Sequence, residues 1–351
     1  MAKISIIANF WSSEVYIPKL MESVINQTYR DWELICVNDC SPMNDLKVIQ
    51  RYASKDSRIV VVDNKVNMGI SKAKFEGTKH AKGEYLMFID GDDWLEPEAL
   101  QRCIEPAEKY GVDMVVMSSR KVLVWAGMPV YKKPDINKDV NRVIAQPELF
   151  DKYFVGFFGM NNFPVPYWGK LIRKSVFDKA NLKPLELDYS EDLIFNMNLF
   201  PYLNSVYMLD YQGYNWRWGG LTSGRLKTTR KRTMKLLNFV LDMYDMRMDV
   251  LNKYKYEKGK KYMTIELVNY LVANLSVISN TVVPDDACKE MIQKYIDKFD
   301  QNKQYVTEFN DEKFQAFRSK DVNVVYAYCH KVYKQQAKKR LLKKVIHMFI
   351  K

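Results

Sequence analysis

The chain has 351 residues, 47% of them hydrophobic and 27% charged, which fits a folded protein of two domains or one large domain with an appendage and argues against wholesale disorder. Five scattered cysteines (Cys36, Cys40, Cys103, Cys288, Cys329) without a CxxC pair argue against a disulfide framework or a zinc cluster, and no apolar run reaches the roughly 18–20 residues of a bilayer span. The net charge of +12 is uneven: residues 1–225 carry 28 Lys and Arg against 28 Asp and Glu, and residues 226–351 carry 26 against 14.

Taken in order, Lys3–Asn9 reads as a buried strand, not a secretion leader, and Tyr16–Asn26 as an amphipathic helix. Trp32–Val37 is a strand, Asp45–Ala53 a helix, and Arg58–Asp63 a strand. Ser71–Ala81 is helical, Tyr85–Ile89 a strand, Glu98–Tyr110 a helix, and Val112–Ser118 a strand. This alternation predicts an α/β fold with a mostly parallel sheet flanked by helices. Residues 121–165, with several prolines, read as loops with some strand; Trp168–Val176 and Glu191–Phe200 resume regular patterns. Past Ser223 the periodicity is helical, with Pro284 the only proline, so a boundary near 225 is expected.

In a parallel sheet, ligands bind beyond the carboxyl ends of the strands. Two acidic sites fall there: Asp39 after Trp32–Val37, and Asp90, Asp92 and Asp93 at the end of YLMFID. Three carboxylates in four residues repel one another unless a cation sits between them, and oxygen ligands suit Mg²⁺ or Mn²⁺. Gly91 would admit close backbone approach to a ligand. The bland alternative is a strand end and turn in which Asp93 caps the following helix. The first strand leads into NFWSS, so a glycine-rich dinucleotide turn is absent, as is a GxxxxGK[ST] phosphate loop.

Residues Ile4–Pro97 resemble the nucleotide-sugar half of family 2 glycosyltransferases, which have the GT-A fold. The matching pieces are ISII, then SVINQTYRDWELICVNDCS, then NMGISKAKFEGTKHAKGEYLMFIDGDDWLEP, followed by PYWGKLIRKSVF, YSEDLIFNMNLF and YNWRWGGLTS. The resemblance implies an inverting, metal-dependent enzyme. It would move a sugar from a nucleotide donor, UDP most of all, to a glycan or lipid-linked acceptor in bacterial surface polysaccharide synthesis. It implies that Asp39 bonds the nucleobase, with Gly69 and Lys74 also on the nucleotide side. Asp90 and Asp92 would form the DxD pair, Asp90 toward the ribose and Asp92 toward Mn²⁺ or Mg²⁺ on the diphosphate. Asp192 would be the general base, supported by Glu191. Trp168, Lys170 and Arg217 are candidates for acceptor or diphosphate contact. The sequence departs from the family at Ala8-Asn9-Phe10-Trp11, in the loop flanking the base, and at Lys74, which replaces an arginine.

The expected organisation is a GT-A catalytic domain over 1–225, with a nucleotide half to about 120 and an acceptor half after it. A helical subdomain over 226–351 would follow. Its final 21 residues hold eight basic side chains and no acidic one. Leu341, Leu342, Val345, Ile346, Met348 and Phe349 share one side of a helical projection, as in a basic amphipathic helix on an anionic membrane surface. The expected location is the cytoplasm, peripheral on the inner membrane face, with nucleic acid disfavoured as a partner. The rival readings are a nucleotidyltransferase, or a non-catalytic glycan- or membrane-binding protein on a transferase fold.

Overall fold

Continuous apolar, β-branched runs form the first strands: β1 (Ile4–Phe10), β2 (Trp32–Asn38), β3 (Ile59–Asp63) and β4 (Tyr85–Asp90). In β1, β2 and β4 nearly every residue is buried, the pattern of central strands covered on both faces. The connections are α1 (Ile17–Ile25), α2 (Asp45–Ala53) and α3 (Ile70–Thr78). The computed structural model describes all residues except 1, 126–127, 136–138, 159–162, 186–190, 220–228, 279–282 and 350–351, and describes 125, 128–135, 155, 158, 232 and 338–349 as backbone only.

These four strands run parallel in the order β3-β2-β1-β4. Their ends are nearly flush: Asn9 lies opposite both Val37 and Asp90, and Asn38 opposite both Phe10 and Asp63. The segments leaving them therefore emerge along one edge, and the acidic residues sit there.

The chain continues through β5 (Trp94–Leu95), α4 (Ala99–Tyr110), β6 (Met114–Trp125), β7 (Met128–Asp135) and β8 (Arg142–Ala145). It then forms β9 (Lys170–Arg173), α5 (Lys174–Ala180), α6 (Glu191–Leu199) and β10 (Ser205–Trp218). β9 is antiparallel to both β4 and β6, and β10 runs parallel to β6, so the sheet is mostly parallel with antiparallel insertions. β6 outruns its expected end at Ser118 because β10 pairs with it as far as Trp218↔Leu123 and β7 pairs along its other side.

Backbone contacts divide the chain into two compact units, one within residues 1–226 and the other chiefly 227–351. The second unit contains α7 (Arg230–Lys253), α8 (Glu257–Ile278), α9 (Asp286–Asp300), α10 (Glu312–Arg318) and α11 (Val322–Phe349). Its core buries Leu237, Leu251, Leu267, Leu271, Ile292 and Tyr295. Asp285 and Asp311 cap α9 and α10 by accepting from Cys288 N and Phe314 N. The side chains of the basic segment 338–351 lie outside the described residues. No helix among the described residues is long and apolar enough to cross a membrane.

Candidate active site

Asp39 is 2% exposed and organises the loop beyond β3. Its Oδ1 accepts from Asn64 Nδ2 and Met68 N, both at 2.9 Å, and its Oδ2 accepts from Gly69 N at 3.0 Å. Gly69 precedes α3 at φ +83°, a left-handed conformation that suits glycine. These bonds occupy three of a carboxylate's roughly four acceptor positions. Beside it, the side-chain oxygen of Asn9 is buried without a hydrogen-bond donor at the end of β1. A buried acceptor of that kind calls for a partner. The sequence pattern had marked Asn9 only as a departure.

The three aspartates after β4 have separate fates. Asp93 is buried, with Oδ2 accepting from Tyr214 Oη at 2.7 Å and Oδ1 from Arg217 N at 2.8 Å. Burial pushes its carboxyl well above the usual range, and the charges of Asp92 and Asp90 push it further. The expectation that Asp93 caps the following helix is overturned, because α4 is preceded by Glu98 and the Asp93 carboxylate is drawn to β10 instead. Asp90 N donates to the same Tyr214 Oη at 3.1 Å. Arg217 Nε donates to the carbonyl of Asp92 at 2.7 Å, with its guanidinium over the Tyr16 and Trp94 rings. The loop is thus strapped to β10. Gly91 is required by the protein backbone: a Cβ there would stand 2.7 Å from the carbonyl oxygen of Asn9.

Asp90 itself meets Lys74, with Nζ and Oδ1 2.7 Å apart. Lys74 is almost fully buried, and its ammonium lies 4.5 Å from the Tyr167 ring centroid. Burial alone would lower the Lys74 pKa, but Asp90, then Glu191 and Asp192, outweigh it and raise it. Glu191 and Asp192 occupy the first turn of α6, where the helix dipole favours acids, and Leu193 N donates to Asp192 Oδ1 at 2.8 Å. Burial pushes Glu191 up to about 7, with Lys74 opposing and Asp192 adding to the rise. Burial also raises Asp192, against Lys74, the Leu193 amide and Lys170.

The structure therefore brings Asp90, Lys74, Glu191, Asp192 and Lys170 into one electrostatic cluster. Lys170 is 0% exposed and donates to Pro166 O. Trp168 spends one face on Tyr214, stacked at 4.4 Å and 7°. A groove of about 810 Å³ lined by Tyr16, Lys19, Trp94, Arg217 and Trp218 adjoins the Asp92 segment through Arg217. Among the described residues no three His, Cys, Asp or Glu converge as a closed metal cage. Asp90 and Asp92, two carboxylates on one loop, have the donor chemistry of the open type of Mg²⁺ or Mn²⁺ site, which takes one or two carboxylates and completes its shell with substrate phosphate.

Residues 5–156 match the family described as Glycosyl transferase family 2. The chain is 32% identical over 215 residues to an uncharacterized glycosyltransferase, EpsJ, of Bacillus subtilis (strain 168), covering 61% of this chain and 60% of that protein. It is 28% identical over 239 residues to a cholesterol galactosyltransferase of Borreliella burgdorferi, covering 67% and 65%. It thus spans less than two thirds of the length of either relative. In fold it is similar to residues 1–349 of S. aureus TarS, solved in complex with UDP-GlcNAc, with a TM-score of 0.65 and 18% identity over 95% of this chain and 92% of that one.

Proposed function

We propose, from the match of residues 5–156 to glycosyl transferase family 2, that this protein moves a sugar from a UDP-linked donor to a hydroxyl of a glycan or lipid-linked acceptor in surface polysaccharide synthesis. The observation that carries the reading is the cluster of Asp90, Lys74, Glu191 and Asp192 beside the edge where the parallel strands end. A fold neighbour crystallised with UDP-GlcNAc supports the choice of donor.

In this mechanism Asp39 and the Gly69 turn hold the nucleoside, and Asp90 and Asp92 hold a divalent cation. Mn²⁺ or Mg²⁺ held there would supply positive charge against the departing diphosphate. Asp192 accepts the proton of the acceptor hydroxyl while its oxygen bonds to the anomeric carbon. The bond from that carbon to the phosphate oxygen breaks, and its electron pair leaves with the nucleoside diphosphate. One base and attack opposite the leaving group invert the anomeric centre. Glu191, whose carboxyl burial pushes up to about 7, would donate or accept a hydrogen bond at the sugar. Arg217 and the adjoining groove receive the acceptor, with Trp168, stacked on Tyr214, as a further candidate contact.

A panel of nucleotide sugars screened by thermal shift and by release of nucleoside diphosphate tests this reading. UDP-sugars with Mn²⁺ are expected to raise Tm and at least one to be turned over; no response to any nucleotide sugar, with or without metal, overturns it. The basic C-terminal segment is proposed to hold the enzyme peripherally on the inner face of the cytoplasmic membrane. Deletion of residues 338–351 should abolish sedimentation with anionic vesicles while the donor-induced thermal shift persists. Equal sedimentation of both forms would remove the anchor.

A further inference from the structure

Tyr214 is fully buried on β10, and the chain around it aims its hydroxyl. Along the ladder to β6, β10 takes two steps, Gln212 to Tyr214, for one step of β6, Ser118 to Ser119. Such a bulge re-aims the side chain that follows it. Past the bulge Tyr214 lies opposite Leu95 of β5, and Trp168 stacks on its ring at 4.4 Å and 7°. The ring is therefore fixed on both the backbone and the packing side.

The hydroxyl meets a four-residue turn. Asp93 N donates to the carbonyl of Asp90 at 3.0 Å and closes the turn, with Gly91 and Asp92 in its middle. Tyr214 Oη accepts from Asp90 N at 3.1 Å and donates to Asp93 Oδ2 at 2.7 Å, so one oxygen bonds the first and the last residue of the turn. Arg217, on the same strand, adds its amide to Asp93 Oδ1 at 2.8 Å and its Nε to the carbonyl of Asp92 at 2.7 Å. From α3, Lys74 Nζ stands 2.7 Å from Asp90 Oδ1. A phenylalanine would fill the same space in the core. Both hydrogen bonds of the hydroxyl go to the turn, and carboxylates that share a cation must be held close to a fixed geometry.

We propose that Tyr214 is a positioning residue for the turn Asp90–Asp93: its hydroxyl clamps both ends and so sets how Asp90 and Asp92 are presented to a divalent cation. The inference rests on the reading of those two aspartates as cation ligands for its consequence in donor binding, but the clamp itself is tested without any ligand. Hydrogen exchange at single amides, followed by NMR, compares full-length wild type and Y214F in the absence of metal. In Y214F the Asp90 amide is expected to exchange at least about tenfold faster while the amides of β1 and β2 keep their rates; a general loss of stability would speed all of them together. Binding is then read with UDP as the probe, at graded Mn²⁺ and in EDTA. Y214F should need about tenfold more Mn²⁺ for half of the metal-dependent gain in affinity, saturating Mn²⁺ should restore that gain, and affinity in EDTA should be unchanged.

A wild-type exchange rate at Asp90 in folded Y214F overturns the proposal, as does an unaltered Mn²⁺ dependence or an equal loss of UDP affinity with and without Mn²⁺. If Y214F does not fold, the wild type decides: an Asp90 amide that exchanges like an unstructured one overturns the clamp, and one protected like the β1 amides supports it. A wild type whose UDP affinity ignores Mn²⁺ would defeat the cation reading and leave the exchange result standing, so the two failures are distinguishable.

Discussion

Asp192→Asn is expected to bind a UDP-sugar as the wild type does and to lose transfer by about 10³-fold, the range of a removed general base and equivalent to about 4 kcal/mol of barrier. The substitution keeps the shape of the side chain and its acceptor for Leu193 N, the bond that seats it at the start of α6. What it removes is the ability to take a proton. The sign of the pH dependence follows from the same residue. Burial holds the Asp192 carboxyl above its ordinary value, and only its ionised form is a base, so kcat should fall as pH falls through that raised midpoint. Burial pushes Glu191 up to about 7 and Asp192 adds to that rise, so the acid limb belongs to the pair. In Asp192→Asn the residual activity should show a single limb, that of Glu191. An asparagine variant that turns over at the wild-type rate, in a steady-state assay with saturating donor, would remove Asp192 as the base.

The parts of this site that could be read in the sequence are those written locally. β1, β2 and β4 are unbroken apolar runs because both their faces are covered, and Asp39 and Asp90 stand out because a charge ends each run. What could not be read depends on partners far along the chain. Asp93 looked like a helix cap because its neighbours on the chain are a turn and a helix; its actual partner, Tyr214, lies 121 residues away. β6 looked finished at Ser118 because its continuation is stabilised by β10, which begins at Ser205. Lys170 looked like a ligand contact because a motif gives residue type and spacing but no depth. The structure puts it at 0% exposure at the start of β9, paired with Val116 of β6. Charge balance behaves in the same way. The neutral total of residues 1–225 conceals buried opposite charges concentrated at one place, where Lys74 meets Asp90 and faces two further acids.

Asp92→Ala should abolish the part of UDP-sugar affinity that depends on Mn²⁺, a loss of about 10²-fold, while affinity measured in EDTA stays at the wild-type level. The aspartates of this loop differ in what their removal would break. Truncating Asp90 leaves the buried Lys74 ammonium without its 2.7 Å partner, and truncating Asp93 strands the buried Tyr214 hydroxyl and the Arg217 amide; both would cost stability before any ligand is added. Asp92 is tied to Arg217 through its backbone carbonyl, which alanine retains. The Asp93–Tyr214 and Lys74–Asp90 contacts also survive the change. Its Tm without ligand, measured alongside, separates a loss of fold from a loss of the cation. Isothermal titration with a UDP-sugar at fixed Mn²⁺, repeated in EDTA, separates the two. If Asp92→Ala binds donor in Mn²⁺ as tightly as the wild type, the cation is not held by this loop. The diphosphate would then have to be neutralised by side chains alone, with the guanidinium of Arg217, bonded to the Asp92 carbonyl, among the cations at this loop.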